Sequence, residues 1–485
     1  MVTIAKTLNH AIKFLLFFLI FYVPFGLNAA WDFTPRIQAS QTYTDNVRLD
    51  SSNEESEHIT QVNPGFSLTN LGSRYATSIE YKMENLFYWD ESDANDTFHQ
   101  LDAVGDFEVL KNRLFIDTNV NSSQSLIDPE QTFSTRNIQT TGNTTDEFTW
   151  RVSPYWVEEL GSFSIATFRF GYIENYIDKE RADFSTVDTQ DDSTTTQYVV
   201  KFENFSPDDQ LTWELGYRKD KVNFDSNPTV ELQRYILELG WKLSRNITLL
   251  GLGGYEKNDF VTTLDDSNDI DDNFWEAGFL YQVSPKNQLE ARYGERFFGN
   301  TRFFSWDFEG RRLNLTARYR EELTTDVIDQ EFRSVDEEPS LADDVQTDIG
   351  RRDFEVFESD RFDLMVAYEL PKSSFSLNFF DDDRTFQVSR LEDKSRGAEF
   401  NWDWRFKPKT TFIMNLFWEQ EEFQENINMA DRKDDNYDVS LGLEFQLSPR
   451  LFFNTNYIYT ERTSDMDTNE YDANTVTAGF TYELN

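Results

Sequence analysis

Alternation is the most regular feature of this chain. In "TVTAGFTYELN", from Thr475 to Asn485, the residues Val476, Ala478, Phe480, Tyr482 and Leu484 are apolar, and those between them are polar or glycine. The same period of two runs through "LTWELGYR" (211–218), "LEARYGER" (289–296), "LNLTARYR" (313–320) and "VSLGLEFQL" (439–447). Successive side chains of a strand point to opposite faces, so this period predicts half-buried strands; helical spacing would lose it within a turn.

Turn chemistry punctuates the pattern. Short turns read at "NLGS" (70–73), "EELGS" (158–162), "SPKN" (284–287), "FEGR" (308–311), "LPKSS" (370–374) and "SPR" (448–450), with Gly, Pro, Asn and Ser in their usual places. Between consecutive turns lie two strands joined by a mostly longer, acidic connection, such as "DSSNEESE" (50–57), "DDSNDIDDN" (265–273) or the long stretch 324–350. Counting turns and loops alternately gives about 22 strands, within a range of about 20 to 24. No linker or composition break divides residues 31–485, which are expected to form one domain.

Many alternating antiparallel strands suit a soluble sandwich, apolar face inward, or a membrane barrel, apolar face outward. Short turns on one side and long loops on the other match periplasmic turns and extracellular loops. Aromatic residues gather near strand ends in "FYWD" (87–90), "FFGN" (297–300) and "YIYT" (457–460), where headgroup girdles would sit. The expected fold is therefore all-β: a transmembrane antiparallel up-and-down β-barrel with short periplasmic turns and longer acidic extracellular loops.

Composition agrees. The 485 residues carry 88 acidic and 45 basic side chains, a formal charge of -43, and no cysteine. Mean hydropathy is -0.63, yet 16% of residues are aromatic. Such a chain must collect its apolar residues on one face. The charge balance excludes a nucleic-acid footprint, and the lack of cysteine excludes disulfides and thiolate metal sites. Lys6 and Lys13, then "FLLFFLIFYVPFGL" and "NAA", have the order of a secretory signal peptide, assigned to residues 1–30 with cleavage after Ala30 or Ala29. The expected location is the outer membrane of a Gram-negative bacterium.

The barrel explains the C-terminal strand. In lipid a spanning sheet must close on itself, so the last strand pairs with the first. Gly479, Phe480, Tyr482 and Leu484 also resemble the C-terminal signal read by the outer-membrane barrel insertion machinery, with a departure at the trailing Asn485.

Further segments resemble the outer-membrane β-barrel family associated with PEP-CTERM/exosortase exopolysaccharide loci. The carrying residues are "SQTYTDNVRL" (40–49), "VSPYWVEELGSF" (152–163), "GGYEKNDF" (253–260), "FWEAGFLYQVSPKNQLEARYGERFFGNT" (274–301) and "ARYREEL" (317–323). The resemblance implies an outer-membrane protein working beside exopolysaccharide assembly and protein sorting. It brings no catalytic residue.

Site chemistry is sparse. His58 and His99 lie outside any nucleophile–base–orienter pattern, so no enzyme is expected; His58 reads as a solvated loop residue and His99 as a strand end near the interface. "DDSNDIDDNFWE" (265–276) has calcium-loop spacing, but Ile270 stands where the sharp turn needs Gly. Weak divalent-cation binding by the acidic loops is the one cofactor chemistry on offer, bridging to lipopolysaccharide or polysaccharide.

The polar strand face is richer. Glu214, Arg218, Glu290, Arg292, Arg296, Arg318 and Arg320 are the candidate lumen-facing residues, with Glu238, Lys242 and Glu444 beside them. Arg292, Arg296, Arg318 and Arg320 are expected on adjacent strands as a basic stripe, balanced by Glu290 and by Glu295 or Glu321. Strands begin near Thr34, which leaves no room for the N-terminal plug of a TonB-dependent transporter. Two functions follow. One is a conduit or porin-like channel, for exopolysaccharide with its periplasmic export components or for small hydrophilic solutes, marked by an unobstructed lumen. The other is a docking barrel whose loops bind surface glycan or partner proteins, marked by a lumen blocked by the loop at 324–352.

Overall fold

A computed structural model describes residues 31–484 apart from 129, 179–190, 205, 207–208, 261–269, 329–344, 347–354 and 425–431. Residues 1–30, the expected signal peptide, lie outside the described residues. The first eleven strands are β1 (Asp32–Thr44), β2 (Glu57–Leu71), β3 (Tyr75–Tyr88), β4 (Asp96–Leu110), β5 (Leu114–Leu126), β6 (Thr144–Leu160), β7 (Ser164–Ile177), β8 (Ser193–Asn204), β9 (Leu211–Phe224), β10 (Val230–Lys242) and β11 (Ile247–Asp259). They continue as β12 (Ile270–Ser284), β13 (Asn287–Arg296), β14 (Gly299–Glu309), β15 (Leu313–Thr324), β16 (Val345–Gln346), β17 (Phe357–Leu370), β18 (Ser373–Phe386), β19 (Glu392–Lys407), β20 (Thr410–Phe423), β21 (Arg432–Ser448), β22 (Leu451–Ser464) and β23 (Tyr471–Glu483).

All but β16 pair with their neighbours in sequence, antiparallel, and β1 pairs with β23 from Arg36↔Glu483 to Thr44↔Thr475. The result is a closed 22-strand barrel. Among the described residues no helix is long and apolar enough to cross a membrane. Closure leaves no unpaired edge at the chain ends, as hydrocarbon requires.

Alternation turns the apolar face outward. Leu211 and Leu215 on β9, Leu237 and Leu239 on β10, Phe279 on β12, Leu441 on β21 and Phe480 on β23 are all exposed on the outer wall. A water-soluble sandwich would bury these side chains; lipid solvates them. Toward the loops the belt ends in aromatic residues, including the cross-strand row Tyr217, Tyr235 and Tyr255. His58 joins this girdle. It is the second residue of β2 and its ring centre lies 5.0 Å from that of Tyr43 and 5.5 Å from that of Trp89, so it is a wall residue and not a loop histidine. His99 lies within β4, its Nδ1 2.8 Å from the Tyr81 hydroxyl.

Proline inside a strand removes a ladder donor. Around Pro64 side chains restore the pairing: Asn85 N–H donates to Asn63 Oδ1 at 3.1 Å, and Asn85 Nδ2 donates to the Val62 carbonyl at 2.6 Å. Two strands also part from a neighbour at the loop side. The β4–β5 ladder stops at Leu101↔Ser122, and the β14–β15 ladder stops at Phe304↔Tyr319. At the second split the Glu321 carboxylate accepts the Arg302 N–H (2.9 Å), and Arg296 donates to the Glu321 carbonyl (3.3 Å). β5 and β15 are the strands whose following connections turn inward.

An even number of wall strands puts both described ends on the short-turn side. An epitope inserted between Ser52 and Asn53, in the exposed β1–β2 loop, is expected to be labelled on intact cells. Labelling only after permeabilisation of the outer membrane would invert this orientation.

Candidate functional site in the lumen

A barrel of this strand number is too wide for wall side chains to fill. Here loops fill its outer half. The β5–β6 connection, residues 127–143, folds into the mouth. Its Arg136 guanidinium grips Asp438 of β21 at two points, 2.8 and 3.1 Å. Arg462 of β22 donates to the Gln131 carbonyl at 2.7 Å and lies 4.9 Å from the Phe133 ring centre. The Tyr471 hydroxyl of β23 donates to the Phe133 carbonyl at 2.9 Å. On its return the loop sets Asn137 Nδ2 against Glu84 (2.9 Å) and Gln124 (3.0 Å), and buries Ile138 with Ile59, Leu86, Tyr88 and Phe98.

The connection from β15 to β17 also enters. Ile328 and Val356 are buried with Val222, Phe224, Val230 and Phe260, and Asp326 pairs with Arg384 of β18 at 2.9 Å. From the same connection β16 pairs in parallel with β5, Val345↔Gln124 and Gln346↔Ser125, on the side of the ring opposite β15. It uses the edge that β5 frees by leaving β4.

Loop-side wall residues are closed off as a result: Thr44, Gln100, Thr145, Thr195, Asp434 and Thr475 are at most 2% exposed. Nearer the turns the lumen is wet. Met365 and Ile413, on the lumen side of β17 and β20, are 55% and 42% exposed. The interior is thus an open polar vestibule beneath a plug made of loops.

Residues 394–484, from β19 to the end of β23, match the family described as "Putative beta-barrel porin 2". With the outward apolar belt, this decides the class. The chain is an outer-membrane porin-like β-barrel. Among solved structures it is similar to the FrpB iron transporter from Neisseria meningitidis (F5-1 variant), with 12% identity, a TM-score of 0.51, and 95% of this chain and 83% of that chain covered. The apoprotein form of that variant gives 12% identity, a TM-score of 0.52, and 95% and 82% coverage. At this identity the likeness concerns the fold alone. No curated protein matches the chain.

The porin-like barrel places Glu214, Arg218, Glu290, Arg292, Arg296, Arg318 and Arg320 on the face opposite the apolar belt. Glu214 pairs with Lys201 of β8 (2.8 Å) and Arg218 with Asp220 (2.6 Å). Arg292 lies between Glu290 (2.9 Å) and Glu276 (3.3 Å) and over the Phe303 ring, 4.0 Å from its centre. Arg296 pairs with Glu256 of β11 (2.6 Å), and Arg320 with Glu322 (3.1 Å). Arg318 shares a rung with Ser305, which in turn pairs with Glu290.

Two expectations need correction. The strands carrying Arg292 and Arg318 are not adjacent, because β14 lies between them. Glu295 and Glu321 do not balance the stripe from inside. Both share the outward parity of Tyr293 and Tyr319, and Tyr319 donates its hydroxyl to Glu321 at 2.6 Å. Arg292, Arg296 and Arg320 are instead offset by Glu256, Glu276, Glu290 and Glu322: within one strand for Arg292–Glu290 and Arg320–Glu322, between neighbouring strands for Arg292–Glu276, and across β12 for Arg296–Glu256.

The C-terminal residues stand as the alternation requires. Phe480, Tyr482 and Leu484 are exposed on the outer wall, and Gly479 is buried on the inner one. A Cβ at Gly479 would come within 2.6 Å of Ser40 Cβ and 2.8 Å of the Ala39 carbonyl, so the closing rung has room only for glycine. Asp265, Ser267 and Asp269 of the calcium-like stretch lie outside the described residues, and among the described residues no cluster of carboxylates or histidines forms a metal site.

Proposed function

We propose that this porin-like barrel is a plugged conduit for hydrophilic solutes that serves exopolysaccharide export beside the PEP-CTERM sorting system. The resemblance of its segments to barrels of such loci supports the exopolysaccharide link. The lumen is obstructed, so the conduit is carried by how the plug is held: its grip on β21, β22 and β23 is made of hydrogen bonds and ion pairs, with apolar packing where the loops return to the wall at Ile138, Ile328 and Val356. The polar contacts exchange readily for water, whereas packed hydrophobic ones do not. The open vestibule faces the periplasm, where export components would dock. Acidic loops outside would gather divalent cations against lipopolysaccharide, and the barrel insertion machinery would place the chain. No step of bond chemistry belongs to it.

Planar-bilayer recording tests this. The wild-type barrel is expected to conduct little, and replacement of residues 130–141 by a short Gly-Ser link to give large, steady openings. Silence in both proteins would sink the conduit. The docking barrel would then stand, favoured by the β16–β5 pairing across the lumen. In the host, deletion of the gene is expected to lower surface polysaccharide; unchanged surface polysaccharide would remove the export role.

A further inference from the structure

The vestibule wall has two chemistries. From β5 to β13 it carries ion pairs, among them Arg169–Asp117 (2.7 Å), Lys201–Glu214 (2.8 Å) and Arg292–Glu290 (2.9 Å). From β18 round to β2 it is mainly amides and hydroxyls. Ser376, Asn401, Asn415 and Ser440 form one rung across four strands. Glu399 gathers the amides: it accepts from Asn378 (3.1 Å), Asn401 (3.0 Å) and Asn415 (2.7 Å). Further round, Ser440 donates to Asn456 at 3.1 Å, and the hydroxyls of Thr42 and Thr477 lie 2.9 Å apart.

We infer that this wall is a binding track for neutral oligosaccharides. The inference rests on the proposed function only in taking the vestibule as reachable from the periplasm. A sugar hydroxyl both donates and accepts. Each asparagine offers two N–H donors and one acceptor oxygen, and the bonds just described use only part of that capacity. Met365 stands on the same rung as Asn378 and Glu399, and Ile413 lies two residues before Asn415. Both are exposed, and they present apolar contacts to the C–H faces of sugar rings. An anionic glycan fits worse. Arg292 and Arg296 on the other wall are already paired, Arg36 on this one is held by Glu80 at 3.1 Å, and Glu399 with Glu444 would repel it.

The test is equilibrium titration of the full-length protein in detergent micelles with maltohexaose, cellohexaose and hexagalacturonate. Saturable binding of a neutral hexamer is expected, with no competition from hexagalacturonate. The double substitution Asn401→Ala/Asn415→Ala should weaken it about tenfold, the loss expected for one or two hydrogen bonds. If that protein does not fold, Asn456→Asp decides, because it adds a carboxylate to the track at nearly constant shape. Binding of neither neutral hexamer, equal binding of hexagalacturonate, or unchanged binding in the folded variant would overturn the inference. The two readings fail separately. Neutral binding without conductance sinks the conduit alone, and conductance without neutral binding sinks the track alone.

Discussion

A chain lacking residues 476–485 will not reach a folded state in the outer membrane. β23 pairs on one side with β22, from Leu451↔Tyr482 to Arg462↔Tyr471, and on the other with β1, from Arg36↔Glu483 to Thr44↔Thr475. The truncation removes most rungs of both ladders at once. It opens two edges whose N–H and C=O groups would face hydrocarbon, each costing several kcal/mol without a partner. It also removes Phe480, Tyr482 and Leu484 from the outer wall, with the Phe453–Phe480 ring contact at 5.1 Å. The readout is the heat-modifiable band of membrane fractions on gels, present for the full chain and absent for the truncated one. A heat-modifiable truncated protein in the outer membrane would show that the barrel does not depend on this closure.

The wall was legible because each strand separates two solvents, and the separation is written at every second residue. Leu211, Trp213, Leu215 and Tyr217 need no partner in sequence to say which way they face. Turns such as "SPKN" and "FEGR" are equally local. Legibility fails where position depends on distant residues. The loop at 127–143 has no strong signature, although Phe133, Arg136 and Ile138 are out of keeping with the acidic loops around it. Its main grip, Arg136 on Asp438, spans 302 residues of sequence. The adjacency of Arg292 and Arg318 fails for a different reason. The turns "SPKN" and "FEGR" already bracket two strands, and the second of them, β14, separates the two arginines; β13 and β14 are joined only by Phe297 and Phe298, and Gly299 takes φ of 133°, a region L side chains rarely adopt. Glu295 and Glu321 show a further point: nearness in sequence to an arginine does not make a shared face, and parity puts both outside.

Asp434→Asn is expected to destabilise the barrel and loosen its plug together. Asp434 and Arg462 are fully buried, 2.6 Å apart, and Arg432 approaches the same carboxylate at 2.7 Å. One negative charge thus serves two guanidiniums. The asparagine keeps the shape and removes the charge nearest to both guanidiniums, leaving them to Glu421, on the rung of Asp434, and to Glu130, 3.8 Å from Arg432. Breaking a buried ion pair from one side costs about 3–5 kcal/mol. Arg462 also holds the plug, through the Gln131 carbonyl and the Phe133 ring, so its displacement should free the loop. Asp472→Asn is the control, because Asp472 is exposed on the outer face of β23 and should stay within about 0.5 kcal/mol of wild type. Two measurements separate the effects. The temperature at which the folded band disappears should fall for Asp434→Asn alone, and bilayer current through the surviving folded protein should show openings that the control lacks. A lowered transition with wild-type current would mean that Asp434 holds the wall but not the plug. An unchanged transition would show that Arg432 and Arg462 do not depend on this carboxylate at all.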